Sequence, residues 1–319
     1  MRQSGVVVKV PGKVNLQLSV GPKESDGFHE VVTVFQAIAL YDEVTVRFAR
    51  TGETLPLVAD TAVALEITGG TSHGVPIDKT NLAYRAAQVM IDSYDLDVDL
   101  NSPIAITLKK EIPVAGGMAG GSADAAGVIV AIDALFELGL SRNEMEKIAS
   151  TLGSDVPFSI SGGVAIGRGR GDQITPVLAQ GTYHWVLALS NQGLSTPAVY
   201  NECDRLREGL QVAVPTANDQ LLAALRAGDA KALGAALTND LQNAACSLRP
   251  ALRLVLDVGR EYGALGNLVS GSGPTVAFLV DNEEKALDLA VALSASGVVG
   301  GVIRSSGPTH GARVIQTLH

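Results

Sequence analysis

Val14, Leu16, Leu18 and Val20 alternate with Lys13, Asn15, Gln17 and Ser19. A period of two is that of a strand with one buried face, so residues 6–20 are predicted to form one, with Lys13 and Asn15 on its polar side. Pro11-Gly12 predicts a bulge or bend just before Lys13. Residues 31–40, 44–48, 64–67, 104–108 and 183–190 read as further strands. The period changes after Gly121. Val128, Ile129, Ile132, Leu135 and Phe136 form one helical stripe, which predicts a helix over 125–138 closed by Gly139. A second helix opens near Asp78-Lys-Thr-Asn-Leu82, with Asp78 or Thr80 as its cap. Ser141 and Glu144 fit a capping box for a third, running to Leu152. Later helical patterns cover 219–226, 250–262 and 283–296, with an edge strand at 298–303. Residues 162–171 read as a strand leading out of a first domain and 172–176 as a linker.

Between the strand at 104–108 and the helix lies a glycine-rich loop, residues 113–127. A loop feeding a helix N-terminus offers unpaired backbone N–H groups and the positive end of the helix dipole, which suits a phosphate. Neither the Walker loop nor the Rossmann spacing is present: no Gly-Lys-Ser/Thr follows, and Gly-x-Gly-x-x-Gly is absent. By itself the run reads equally as a flexible turn beside a tightly packed Ala/Gly helix.

Length and charge narrow the classes. The 319 residues suffice for one large or two ordinary domains. Apolar content of 46% against 18% charged argues for a compact globule over disorder. A net charge of -9 disfavours nucleic acid or an anionic membrane as partner, so any phosphorylated ligand must be met by local charge and backbone donors. Cys203 and Cys246 are too few for a disulfide framework and lack metal spacing. With no signal-peptide pattern and no apolar run of spanning length, a cytoplasmic location is expected.

The loop Pro113-Val114-Ala115-Gly116-Gly117-Met118-Ala119-Gly120-Gly121-Ser122-Ala123 resembles the ATP loop of the GHMP kinases, the superfamily of galacto-, homoserine-, mevalonate- and phosphomevalonate kinases. Pro11-Gly-Lys-Val-Asn-Leu16 resembles their first signature, and Val269-Ser-Gly-Ser-Gly-Pro-Thr275 their third. Four segments resemble a narrower branch, the kinases of 4-diphosphocytidyl-2-C-methyl-D-erythritol. They are Asp26-Gly-Phe28-His29, Asn81-Leu82, Ser195-Thr-Pro-Ala-Val-Tyr200 and Asn239-Asp-Leu241. Ala123 departs from the pattern, which more often has a second Ser there.

The resemblance implies an α/β fold in two domains, residues 1–172 and 173–319, with mixed sheets, the ATP loop at a helix N-terminus and the active site in the cleft between them. It implies ATP as phosphoryl donor, held by the loop residues with Asn81, Leu82 and Lys110. Lys109 stands as the alternative to Lys110. Lys13 and Asp155 become the catalytic pair, with Asp155 as base; without the resemblance Asp155 reads as a helix cap and Lys13 as a solvated strand lysine. Asn15, Phe28, His29 and Tyr200 become the substrate side. Mg²⁺ is expected to arrive with ATP. No protein ligands are assigned to it; Ser122 is the one candidate, weakened by Ala123. Two rivals remain: another small-molecule kinase of the superfamily, and a nucleotide-binding sensor without turnover.

Overall fold

The alternation near the start of the chain forms a strand of 19 residues, β1 (Gly5–Lys23). It pairs antiparallel with β2 (His29–Phe48), and the register slips between Pro11 and Gly12, where the sequence predicts a bend. The structure is a computed structural model and describes residues 4–50, 52–114 and 116–319. The chain continues through β3 (Val63–Thr68), α1 (Leu82–Tyr94), β4 (Ile104–Lys109), α2 (Gly120–Leu135), α3 (Arg142–Ser150), α4 (Val156–Ser161), β5 (Val164–Arg168) and β6 (Gln173–Pro176). Next come β7 (Tyr183–Leu189), α5 (Thr196–Leu206), α6 (Asp219–Ala227), α7 (Ala230–Ala236), β8 (Thr238–Asn239), α8 (Gln242–Leu248) and α9 (Ala251–Glu261). It closes with β9 (Gly266–Val269), β10 (Val276–Val280), α10 (Glu283–Ser296), β11 (Gly301–Gly307) and β12 (Arg313–Leu318).

Two mixed layers of sheet and helix result. The first sheet has the order β12-β1-β2-β4-β3, with β5 on β2, β6 on β5 and β8 on β1. The second has the order β11-β7-β10-β9, which makes β11 the edge strand that residues 298–303 announce. Two features cross the expected boundary at 172/173. Residues 173–176, read as linker, are β6 and pair with β5. The last strand, β12, has no counterpart in the sequence reading and returns to pair with β1. Leu18, Val20 and Val31, from the far ends of β1 and β2, pack in the core of the second sheet.

Helix α2 sits against β1 and β2 and is buried on nearly every side, from Ala123 through Ile129 without a break. A helix apolar all round belongs inside a domain. It starts at Gly120, before the apolar stripe shows it, and stops at Leu135. Phe136 is its C-cap and Glu137 takes the left-handed turn (φ 55°), so Gly139 is not the cap. Helix α1 is capped by Asn81, whose side chain accepts from the N–H of Ala83, rather than by Asp78 or Thr80. The predicted capping box of Ser141 and Glu144 is formed.

Gly127 sets how closely α2 approaches the sheet. A Cβ there would lie 2.5 Å from Val44 Cγ2 and 2.9 Å from Val10 Cγ2. Alanine would gain about 1 kcal/mol in helix propensity, but overpacking a rigid core costs about 1–3 kcal/mol. At 2.5 Å the clash should win. Gly127→Ala is expected to lower the urea midpoint at an unchanged slope; a raised midpoint would mean the sheet can yield.

Candidate active site

A cavity of about 1060 Å³ opens between the two sheets. Its walls come from β1, the glycine loop, the turn before α4, the start of α5 and the turn at 271–273. Distant motifs therefore meet in one place.

The centre is a charged pair. Lys13 Nζ lies 3.6 Å from Asp155 Oδ2 and donates to Asn15 Oδ1 at 2.6 Å. Asn15 Nδ2 in turn donates to Thr33 Oγ1, and that hydroxyl donates to the carbonyl of Gln17. The chain of hydrogen bonds fixes the ammonium on the strand face that the two-residue period assigns to Lys13 and Asn15. Lys13 is almost fully buried, while the Asp155 side chain keeps 32% of its surface. Asp155 does stand at the N-cap position of α4, yet its carboxylate makes no capping hydrogen bond. It is turned to Lys13 and the cavity. A carboxylate so placed can take a proton from a bound hydroxyl.

The glycine loop forms the next wall. Ala119, the N-cap residue of α2, is left-handed at φ 60° and supplies no capping side chain. The first N–H groups of α2, from Gly120 to Ser122, lack intrahelical partners and border the cavity. The loop is tied down on both sides. The N–H of Lys13 donates to the carbonyl of Met118, and Ser270 Oγ donates to the carbonyl of Gly117. Gly117 is required where it stands: φ is +76°, and a Cβ would lie 2.2 Å from the Ser270 carbonyl oxygen. The opposing turn is held by Asn239, whose side-chain amide donates to the carbonyls of Val269 and Gly271.

Beneath the loop lies a buried ion cluster. Lys110 pairs with Asp42 and, at 2.6 Å, with Asp124, and also donates to the carbonyl of Gly120. Asp42 Oδ1 accepts the N–H groups of both Glu111 and Ile112. Burial works to depress the Lys110 ammonium, but Asp124 and Asp42 outweigh it and hold its pKa above the usual lysine value. Burial is also the main influence on Asp124, whose pKa is pushed up to about 8, with Lys110 opposing and Asp42 adding to the rise. Two carboxylates share one ammonium, and burial favours the neutral acid at Asp124.

The far end of the cavity is aromatic. The His29 and Tyr200 rings are 5.3 Å apart, and Arg170 sits 3.8 Å over the Phe28 ring while bridging to Asp26. Burial, then the nearby Asp155 charge, pushes the Tyr200 phenol up to about 12. At the mouth, Thr196 Oγ1 and Ser272 Oγ share a hydrogen bond of 2.8 Å that links α5 to the third glycine turn.

Most residues singled out in the sequence line this cavity: Lys13, Asn15, Phe28, His29, Asn81, Leu82, Pro113, Val114, Gly116, Gly117, Ala119, Gly120, Gly121, Ser122, Asp155 and Tyr200. Three need correction. Met118 and Ala123 are fully buried and face the core, so only their backbones belong to the loop. Lys110 touches the cavity wall, but its ammonium is committed to Asp42 and Asp124 instead of standing free for a nucleotide. Lys109 pairs with Glu43 on the surface. Ala115 lies outside the described residues. Sequence reasoning missed Asp42, Asp124, Asp204, Arg170 and Thr196. Asp124 had a signal, a charge inside a small-residue helix start; Asp42 and Asp204 had none short of the fold.

Two family models match the chain, the GHMP kinases N terminal domain over residues 81–163 and the GHMP kinases C terminal domain over residues 221–299. The chain is similar to the 4-diphosphocytidyl-2-C-methyl-D-erythritol kinase of Mycolicibacterium smegmatis, 49% identical over 97% of this chain and 92% of the relative. It is 50% identical to the enzyme of the same name from Thermobifida fusca, covering 98% of this chain and 99% of the relative. A crystal structure of a 4-(cytidine 5'-diphospho)-2C-methyl-D-erythritol kinase superposes with a TM-score of 0.72 at 30% identity, covering 94% of this chain and 98% of the other.

The buried cluster predicts an asymmetry. Asp42→Asn sets an amide N–H against the Lys110 ammonium at a fully buried position and should cost more than the change at Asp124, about 1–3 kcal/mol, with Asp124 left to pair Lys110. Asp124→Asn mimics the protonated acid and should cost under about 1 kcal/mol at neutral pH. Because the folded-state pKa of Asp124 is raised, the native protein binds more protons than the unfolded chain between about pH 4 and 8, so this contribution to stability falls as pH rises. Urea titrations across that range should show the slope in the parent protein and not in Asp124→Asn. Equal losses for the two variants, or an unchanged slope, would contradict the assignment.

Proposed function

The chain belongs to the GHMP kinases, and on that premise we propose that it transfers the γ-phosphoryl group of ATP to the 2-hydroxyl of 4-diphosphocytidyl-2-C-methyl-D-erythritol. The product is the 2-phosphate, and the step belongs to the non-mevalonate route to isoprenoid precursors. The names of the relatives support the substrate. The observation that carries the reading is that Asp155, free of any cap and paired with Lys13, opens on the same cavity as the N-terminus of α2 and the His29–Tyr200 end.

Phosphoryl transfer asks for positioning and charge stabilisation more than covalent chemistry. The N–H groups at Gly120–Ser122 and the dipole of α2 hold the nucleotide phosphates. Asn81 and Leu82 border the base. At the other end Tyr200 and Phe28 take the cytosine faces and His29 its edge. The acceptor hydroxyl then lies at Asp155, which receives its proton as the phosphoryl group leaves ATP. Lys13, 3.6 Å from that carboxylate, stabilises the charge gathering on the transferred group.

Mg²⁺ arriving with ATP fits this site. Such an ion takes most of its ligands from phosphate and water and needs no cage of protein carboxylates. The Ser122 hydroxyl on the cavity wall is the protein group that would hold it, and the ion would neutralise charge on the β- and γ-phosphates. A cytoplasmic location accords with two buried cysteines that are not joined, Cys203 and Cys246.

A coupled ADP-release assay should show turnover with the diphosphocytidyl substrate and none above background with mevalonate or homoserine; a preference for either alternative would refute the substrate. Asp155→Asn keeps the shape and removes the base, so single-turnover rates should fall by about 10²–10⁴ with both ligands still bound. Lys13→Met should fall similarly, and the double variant should be little worse than the worse single one, since groups acting as a unit are not additive. Full activity in Asp155→Asn would reduce Asp155 to a structural residue. Tyr200→Ala should weaken the cytidyl substrate by about 1–3 kcal/mol, the range for a stacked base, and leave ATP affinity nearly unchanged.

A further inference from the structure

His29 is buried at the aromatic end of the cavity, and one of its ring nitrogens is already committed. Nε2 lies 2.7 Å from Asp204 Oδ1. The other oxygen of that carboxylate, Oδ2, accepts from Lys23 Nζ at 3.0 Å. Burial raises the Asp204 pKa, but the hydrogen bonds from His29 and Lys23 prevail and hold it below the usual value. Asp204 is therefore an acceptor only, and the nitrogen facing it must carry the hydrogen. Lys23 shares the carboxylate with His29, so the charge of Asp204 does not fall on the imidazole alone. Among the described residues nothing hydrogen-bonds Nδ1, Nδ1 is not among the buried unpartnered atoms, and His29 is part of the cavity wall.

We infer that Asp204, through His29, is the positioning residue by which this enzyme selects a cytosine over a uracil nucleotide. The inference rests on the cytidyl substrate proposed above. With the hydrogen on Nε2, Nδ1 presents a lone pair. The 4-amino group of cytosine donates to it. The 4-oxo group of uracil sets a second acceptor against it, and a mispaired polar contact in a buried site is costly. The Tyr200 ring beside His29 limits how far a base can shift to escape the clash. Replacing Asp204 by Asn removes the constraint, because an amide can donate as well as accept. Either tautomer of His29 then becomes available, and the 4-oxo group can be met by Nδ1–H.

Two measurements test this. In uniformly ¹⁵N-labelled protein, with His29 assigned by comparison with His29→Gln, the ring should show a protonated Nε2 and an unprotonated Nδ1 at neutral pH. In Asp204→Asn the two forms should mix. A hydrogen on Nδ1 in the parent protein overturns the inference. Steady-state kinetics with the 4-diphosphocytidyl substrate and its uridyl analogue supply the second arm. The preference for cytidyl in kcat/KM should fall at least about tenfold in Asp204→Asn, the order of one hydrogen bond gained or lost, with more of the change in KM than in kcat. An unchanged ratio in a variant that still turns over the cytidyl substrate overturns this inference alone. A parent enzyme inactive on the cytidyl substrate overturns the substrate assignment and this inference with it.

Discussion

Lys110 between Asp42 and Asp124 is the contact on which the site depends. Each partner holds a different piece of the chain. Asp42 belongs to β2 and accepts the N–H groups of Glu111 and Ile112, where the chain leaves β4 for the glycine loop. Asp124 belongs to the first turn of α2, and Lys110 also reaches the carbonyl of Gly120. One ammonium thus pins sheet, loop entry and helix start together, all within 3% of full burial. The loop above is left with few side chains and no cap. A site of backbone donors gains strength from being rigid before its ligand arrives. Gly120 shows how tight the support is: a Cβ there meets Ile112 Cγ2 at 3.2 Å and Lys110 Nζ at 3.4 Å, so a side chain would strain the cluster before it filled the cavity.

The net charge of -9 makes this arrangement necessary. The protein as a whole repels phosphate, and a screened field cannot draw ATP in from a distance. Anion binding must therefore be local. The start of α2, Lys13, Lys23 and Arg170 all lie on the wall of one cavity, and under the proposed reaction they are the groups that would meet phosphate there. Each of these cations has a carboxylate partner, in Asp155, Asp204 and Asp26 respectively. The pairs orient the cations and balance their charge along the cavity wall.

The sequence made the strands and their functional faces legible where one physical rule dominated. The two-residue alternation placed Lys13 and Asn15 side by side, and they are hydrogen-bonded. The capping box of Ser141 and Glu144 is local chemistry and forms as read. Failures occurred where tertiary contacts override local pattern. Helix α2 begins in a glycine run that propensity disfavours, because the sheet and the Lys110 cluster hold it there. Lys110 read as a free cation at a strand end; only the fold brings Asp42 across to it, 68 residues away in sequence. Strand β12 was invisible because its residues are mostly exposed and lack alternation, and its partner is the first strand of the chain. Asp155 was ambiguous between cap and base, and the absence of a capping bond resolved its orientation.

Under the proposed reaction one cavity holds both substrates in line, with phosphates on α2 and the acceptor hydroxyl on Asp155. A crystal structure of the protein with a non-hydrolysable ATP analogue and the diphosphocytidyl substrate tests it directly. Phosphate oxygens are expected on the N–H groups of Gly120–Ser122, the cytosine beside Tyr200 and His29, and the 2-hydroxyl within about 3 Å of the Asp155 carboxylate. A nucleotide seated away from the α2 N-terminus, or an acceptor hydroxyl out of reach of Asp155, would contradict it.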